Sequence, residues 1–435
     1  MSHWDQYNRS VLKFTVGSLL FVASAFGQIA DYPDDKVAGI AVNYTEAKAG
    51  SPKLPEALVL ANGKPVKDSK TWVSQRRPEI VKLFEENQYG KAPGRPADMS
   101  FELQEKEGSA FEGKAVRRQV AIYLTKDKSG PKIDLLMYLP EGVTKPVPML
   151  LNIAFSANSL TVEDPGVKVG EIWGRDKKKV SAAGGRGIGK MNPMKFVSEG
   201  IGVATFYYGD VDPDFLGGLP NGIRAKYLKA GQTEPAPGEW GSIAAWAWGM
   251  SRAMDYLETD KSVDSKKVAI TGVSRLGKTV MWAGAADTRF AAVIASCSGE
   301  GGAAISRRNY GETIAHLVEP TRYPYQFAGN YAKWGAHPEE SPVDANFLVA
   351  LIAPRPLLLQ TGNTDKWSDP KGEFLAAIAA EPVYQLFGKQ GLGVTEVPLA
   401  GQPILHTMGY VMHAGGHGMV PSDWDVFVQF LKLHF

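Results

Sequence analysis

The chain of 435 residues has one cysteine, Cys297, so no disulfide can form within it. It lacks a dominant charge: 48 Lys and Arg stand against 46 Asp and Glu, for a net charge of +2. No basic block runs through aromatic residues, which leaves nucleic-acid binding without an electrostatic footprint. His-Glu-x-x-His is missing, as is any Cys/His cluster, so neither a metal nor an organic cofactor is expected. Phe14 to Ala23 is apolar but too short for a membrane span, and no membrane association is expected. The 44% apolar and 22% charged fractions are ordinary, which argues against disorder and for a sizeable core.

The N-terminus reads as a secretory signal. Arg9 and Lys13 precede the apolar run, and Ala25-Phe26-Gly27 offers small residues for cleavage before Gln28. Residues before Val11 are polar for a signal, which points to a start further in; the alternative is a buried N-terminal strand. The expectation is a signal at 1–27 and one domain over 28–435, in a secreted or periplasmic protein that acts as a monomer.

Residues 30–60 show little periodicity and read as a wrapping arm. Ser74 to Asn87 carries Ile80, Val81, Leu83 and Phe84 on one side, a helix pattern. Ala115–Leu124 and Ile133–Leu139 alternate around the turn signal Thr125–Gly130 and read as a hairpin. From Val147 the pattern changes. Met149–Phe155, Ile201–Tyr208, Val268–Ile270, Val293–Ser296 and Leu357–Thr361 are short apolar runs, and Trp246–Leu257 is the clearest helix between them. Continuous apolar strands alternating with helices predict an α/β fold, a mostly parallel sheet with helices on both faces in three layers. Ligands bind such sheets at the carboxyl ends of the strands. Three long connections, 156–193, 209–240 and 299–346, interrupt the alternation and are expected to form the rim of one pocket. Gly184–Lys190 in the first lacks Gly-Lys-Ser/Thr and the strand–helix setting of a phosphate loop.

Val268-Ala269-Ile270-Thr271-Gly272-Val273-Ser274-Arg275-Leu276-Gly277-Lys278 passes from an apolar run through a tight turn into a helix-like stretch. A serine at such a corner is what a nucleophile elbow requires, although the second glycine falls one place later than in Gly-x-Ser-x-Gly. The competing reading is a capping serine. A hydrolase of this kind places its residues in the order Ser, acid, His. His417, in a glycine-flanked loop after Gly409–Met412, is the candidate base, with His413 as a hydrogen-bonded neighbour. Asp365 lies three residues past the strand end at Gly362, where a carboxylate can reach the imidazole and fix its tautomer. Asp369 competes, but reads better as the N-cap of the stretch opening at Pro370.

With these pieces placed, the chain resembles the glucuronoyl esterases of carbohydrate esterase family 15, especially the bacterial ones. The motifs are Gly272–Lys278, Ser298-Gly299-Glu300-Gly301-Gly302, Thr364–Pro370 and Gly416-His417, with Leu58–Lys64 and Arg76–Ile80 in the arm. The resemblance covers about residues 40–435. It implies an α/β-hydrolase fold and a serine esterase acting on glucuronate esters that join glucuronoxylan to lignin alcohols. It implies Ser274 as nucleophile, His417 as base, Arg275 as an aid to the oxyanion hole, Lys278 on sugar hydroxyls, and Glu312 and Trp367 against the glucuronoyl ring. Two departures stand out. Many relatives carry a catalytic Glu where this chain has Cys297, so the acid is expected to be Asp365, with Glu300 as the outside candidate. Tyr323-Pro324-Tyr325-Gln326-Phe327 replaces a Phe-Pro-His-Trp-Phe type, which bears on the pocket wall and substrate range. The alternatives are another carbohydrate-directed hydrolase, such as an acetyl xylan esterase, and an inactive carbohydrate-binding protein.

Overall fold

The strand Leu357–Gly362 shows how the layers arise. Every residue in it is buried, and successive leucines face opposite ways: Leu357 and Leu359 join the larger apolar cluster, Leu358 a second one across the sheet. Side chains of a strand alternate with period two, so an unbroken apolar run is stable only where both faces are covered. The computed structural model describes residues 29–435, and the signal expected at 1–27 lies outside them.

In chain order the described residues form a small hairpin, β1 (Asp35–Val37) and β2 (Ile40–Val42), and then the first long helix, α1 (Arg77–Asn87). That helix is entered earlier than the sequence pattern suggests, through Ser69–Thr71 and a wider turn at Trp72–Arg76. The reason is Asp68, whose carboxylate accepts from the Thr71 N–H at 2.8 Å and caps the entry. Three antiparallel strands come next, β3 (Ser100–Ala110), β4 (Ala115–Tyr123) and β5 (Lys132–Pro140), then β6 (Val147–Ala154). A two-stranded ribbon, β7 (Glu171–Trp173) and β8 (Lys179–Ser181), interrupts the first long connection. The remaining strands and long helices are β9 (Gly202–Tyr207), α2 (Ser242–Leu257), β10 (Val263–Val273), α3 (Arg275–Ala286), β11 (Ala292–Ser296), β12 (Leu357–Gly362), α4 (Pro370–Gln385), β13 (Ile404–Leu405), β14 (Met408–His413) and α5 (Pro421–His434), with shorter helical turns in the connections.

Ten strands make one sheet in the order β13-β14-β12-β11-β10-β6-β9-β5-β4-β3. From β14 to β9 all pairs are parallel, and antiparallel strands extend both edges. On one face lie α1, α2, α3 and α4, with Phe84, Trp246, Trp282 and Phe374 in the larger cluster. On the other face α5 brings Trp424, Phe427 and Phe430. This is the three-layer arrangement expected from the alternation, and the α/β-hydrolase fold that the resemblance implied. The outer strand β3 was not legible, because its Glu- and Lys-rich sequence suits an exposed edge rather than a core.

The parallel strands gather the chemistry at one end of the sheet. β10, β11, β12 and β14 are neighbours, so the loops at their carboxyl ends come out side by side. The second and third long connections leave the ends of β9 and β11 beside them. The N-terminal arm closes over the third: Asn43 Nδ2 donates to Asn309 O at 2.6 Å, and the Gly311 N–H donates to Asn43 O at 2.9 Å.

Candidate active site

Ser274 separates β10 from α3. Its φ of +62° lies in the left-handed region that side-chain-bearing residues rarely enter. It stands at the N-cap of α3, yet its hydroxyl makes no capping bond. A serine that merely capped the helix would do the opposite, with extended backbone and its oxygen on the N–H of the second or third helical residue. The corner is tight because two glycines permit it. A Cβ on Gly272 would lie 2.6 Å from Leu276 O, and one on Gly277 would lie 2.6 Å from Ser296 O. The displaced glycine is therefore the point where α3 crosses the end of β11. The Ser274 N–H donates to Ser296 O at 2.8 Å, which pins the corner to that strand.

His417 stands exposed in the loop after β14, and Asp365 is buried in the loop after β12. His417 Nδ1 lies 2.8 Å from Asp365 Oδ2 and 3.2 Å from Ser368 Oγ. Burial pushes the Asp365 carboxyl up, but hydrogen bonding and charge from His417, with Ser368 and Cys297, outweigh it and hold the group below the usual carboxylate range. An ionised carboxylate only accepts, so Nδ1 carries the proton and Nε2 is the atom left for exchange.

Cys297 occupies the corner after β11, one residue past the Ser296 carbonyl that holds Ser274. Its Sγ, Asp365 and His417 have ligand-type atoms within 4.8 Å of one another. Sγ lies 3.3 Å from Gly418 O and 3.4 Å from Gly418 N, so the thiol braces the residue after His417. Burial first, and then the charge of Asp365, push the thiol well above its ordinary pKa. A neutral thiol cannot balance an imidazolium as a carboxylate does. Cys297, Asp365 and His417 form one of two such groupings of His, Cys and carboxylates among the described residues. The other is exposed His337, Glu339 and Glu340.

Glu300 does not reach the imidazole. It is buried, accepting from Ser306 Oγ at 2.6 Å and from Tyr331 OH at 3.0 Å, and burial raises it to about 8. Asp369 is the N-cap of α4, accepting from the Gly372 N–H at 3.0 Å, and it pairs with Arg308 at 2.8 Å. Of the acids weighed from sequence, Asp365 is the one placed on His417. His413, as expected, is satisfied elsewhere, by Asp423 at 3.0 Å.

Arg275 opens α3 beside the serine. Its Nη1 donates to Asp214 Oδ2 at 2.5 Å, and its guanidinium sits 4.8 Å from the Tyr323 ring centroid. Asp214 also accepts from Tyr208 OH at 2.9 Å, Tyr325 OH at 2.7 Å and Gln326 Nε2 at 2.7 Å. The second and third long connections thus meet on Arg275. The first leans on the second, where Trp173 Nε1 donates to Gly209 O at 2.9 Å.

A second basic–acidic group lies one helical turn further on. Lys278 Nζ is 3.7 Å from Glu312 Oε2, and Arg322 Nη2 is 3.1 Å from Glu312 Oε1. Arg322 lies 5.2 Å from the half-buried Trp367 ring and 5.1 Å from Tyr323, so Tyr323 has a guanidinium near it from both Arg275 and Arg322. Glu312 is placed by Gly311, at φ +63°, where a Cβ would meet the carbonyl oxygens of Lys366 and Trp367 at 2.6 Å. The Glu312 N–H donates to Trp367 O at 2.9 Å. The loop bearing Asp365 and the loop bearing Glu312 are therefore one packed unit.

All seven residues singled out from sequence lie at this end of the sheet: Ser274, Arg275, Lys278, Glu312, Asp365, Trp367 and His417. Asp214, Arg322 and Ser368 were missed. Ser368 had a readable signal, since it comes three residues after Asp365 in the same turn.

The chain is similar to known esterases. A family model described as glucuronyl esterase, fungi, matches residues 235–388. The solved glucuronoyl esterase from Solibacter usitatus is 46% identical, covers 90% of this chain and 100% of its own, and superposes with a TM-score of 0.86. A CE15 esterase from a marine bacterial metagenome, described as promiscuous, is 40% identical over 91% of this chain and 100% of its own, with a TM-score of 0.81. Carbohydrate esterase MZ0003, from an unknown prokaryotic organism, is 42% identical over 90% of this chain and 92% of its own length.

Proposed function

The chain belongs to carbohydrate esterase family 15, the glucuronoyl esterases, and on that premise we propose that it cleaves the ester between the glucuronic acid of glucuronoxylan and a lignin alcohol through an acyl-enzyme on Ser274. It is a carboxylic ester hydrolase. The observation that carries the assignment to Ser274 is its backbone: a left-handed φ of +62° at a helix N-cap whose hydroxyl does no capping.

The contacts around His417 and Arg275 support this order of steps. His417 Nε2 takes the Ser274 proton as Oγ attacks the uronate carbonyl, because Nδ1 is committed to Asp365. Asp365 holds the ring and balances the imidazolium. Negative charge develops on the carbonyl oxygen at the head of α3, where the first backbone N–H groups have no intrahelical partner and the helix dipole is positive. Arg275 adds a fixed cation there, always charged and held in place by Asp214. Donors aimed at developing charge are worth roughly 10²–10³ in rate each. His417 then protonates the leaving alcohol, and water cleaves the acyl-enzyme by the same route reversed. Lys278 and Glu312 offer a donor and an acceptor to ring hydroxyls, and Trp367 a flat apolar face.

Residues 1–27 are proposed as an export signal, which suits a polymeric extracellular substrate. Hydrolysis of benzyl glucuronate compared with p-nitrophenyl acetate and acetylated xylan tests the reading, with Ser274→Ala as control. Preference for the glucuronate ester, lost by several orders of magnitude in Ser274→Ala, is expected. Equal or better turnover of acetylated xylan than of the glucuronate ester would make the protein an acetyl esterase instead.

A further inference from the structure

Charge is spread unevenly over the molecule. Residues 166–190 carry seven Lys and Arg against two Asp and Glu, although the whole chain is only +2, so the remainder is net negative. The excess gathers on the β7–β8 ribbon. Its turn closes by the Gly174 N–H donating to Lys178 O at 2.8 Å, and it presents Arg175, Lys177 and Lys178 to solvent. Lys177 sits at φ +63°, where glycine would relieve the strain. Among the described residues, Lys190 is the one of these seven cations in an ion pair, with Glu163.

The ribbon also carries rings. Trp173 and Phe215 meet edge to face at 5.4 Å, both half-buried, with Lys179 5.5 Å from the first and Lys177 5.7 Å from the second. Val169, Val180 and Leu216 are exposed apolar neighbours in sequence. The surface is held against the catalytic end. Trp173 Nε1 donates to Gly209 O at 2.9 Å and Lys177 Nζ to Leu216 O at 3.0 Å, in the same segment that bears Asp214 and so holds Arg275.

We propose that the β7–β8 ribbon, with Phe215, is a docking surface for an acidic polysaccharide, namely a xylan chain bearing free uronic acids. The unpaired cations receive the carboxylates, and the rings offer apolar faces to the C–H sides of the sugar rings. The ester-bearing polymer of the proposed function carries such free uronates too, so this inference rests on that reading. Docking the chain beside the pocket raises the local concentration of its remaining esters. A lignin-like aromatic polymer is the competing partner. It lacks the carboxylates that the unpaired cations call for.

The test is affinity electrophoresis of the full chain in gels holding glucuronoxylan, or the same xylan with its carboxyl groups reduced to alcohols. The combined variant Arg175→Glu, Lys178→Glu, Lys179→Glu is run beside it. Retardation by glucuronoxylan at least ~10-fold stronger than by the reduced polymer is expected, weakening as salt shortens the Debye length. The variant should lose that retardation while keeping its rate on benzyl glucuronate, which also shows that it is folded. Equal retardation by both polymers, unchanged retardation in the variant, or preferential retention on lignin overturns the proposal. Failure to hydrolyse benzyl glucuronate sinks the proposed function and leaves the polymer result to stand or fall separately.

Discussion

The Asp214 carboxylate holds the Arg275 guanidinium at 2.5 Å while accepting from Tyr208, Tyr325 and Gln326. Four donors on one buried carboxylate fix its position, and through it the position of the cation beside Ser274. Asp214→Ala is therefore expected to lower kcat on glucuronate and aryl acetate esters alike, by up to ~10² as for a displaced oxyanion donor, with little change in KM. A change confined to KM would show that Arg275 keeps its place without Asp214.

Asp365→Asn removes the charge facing His417 Nδ1 and lets the wrong tautomer form. Turnover is expected to fall by up to ~10⁴. Glu300→Gln is expected to leave turnover nearly intact, since Glu300 is bonded to Ser306 and Tyr331 instead. The reverse pattern in steady-state kinetics would move the acid to the loop after β11.

Lys278→Ala, and separately Arg322→Ala, should weaken glucuronate esters more than p-nitrophenyl acetate, because both cations reach Glu312 and only the uronate brings ring hydroxyls to that group. The measurement is kcat/KM on both substrates. Equal losses on the two would make the cluster structural.

Stability should fall as pH rises. Burial pushes Glu300 and Glu373 each to about 8, from an ordinary 4.5. Below about 4.5 both groups are protonated, folded or unfolded, and this contribution is whole. Between that value and about 8 the unfolded chain releases protons that the folded one retains, so stability is lost, levelling off once the folded groups ionise. One pKa unit corresponds to about 1.4 kcal/mol, so the melting temperature should drop by several degrees from pH 5 to 8. In the double variant Glu300→Gln, Glu373→Gln the slope should flatten, whatever its absolute stability. A slope unchanged in that variant would place its origin in other groups.

The legible parts of the sequence were those in which neighbouring residues decide the outcome. Leu357–Leu359 had to be a doubly covered strand, and Gly272, Ser274 and Gly277 had to be a tight corner, whatever lay around them. The run Asp210-Val211-Asp212-Pro213-Asp214 shows the limit. Its three carboxylates look alike, yet Asp210 is half-buried beside Asp134 and raised to about 7, Asp212 pairs with Arg224 at 2.9 Å, and Asp214 holds Arg275. Partners 12 and 61 residues away decide which is which. Arg322 was hidden for the same reason, since its meaning lies in Glu312, Trp367 and Tyr323 together. Asp369 was readable as a cap, but its pairing with Arg308, and through Arg308 with Glu46 of the arm, was not.

Cys297 and Asp365 end adjacent strands, and both come within 4.8 Å of the same imidazole. An ancestor with carboxylates at both places would have carried a spare. Losing either one then leaves the histidine a partner, so a lineage can hand the acid from one strand to the next without passing through a dead enzyme. The thiol in this chain fills the second of those places: small, uncharged, and gripping the backbone of Gly418.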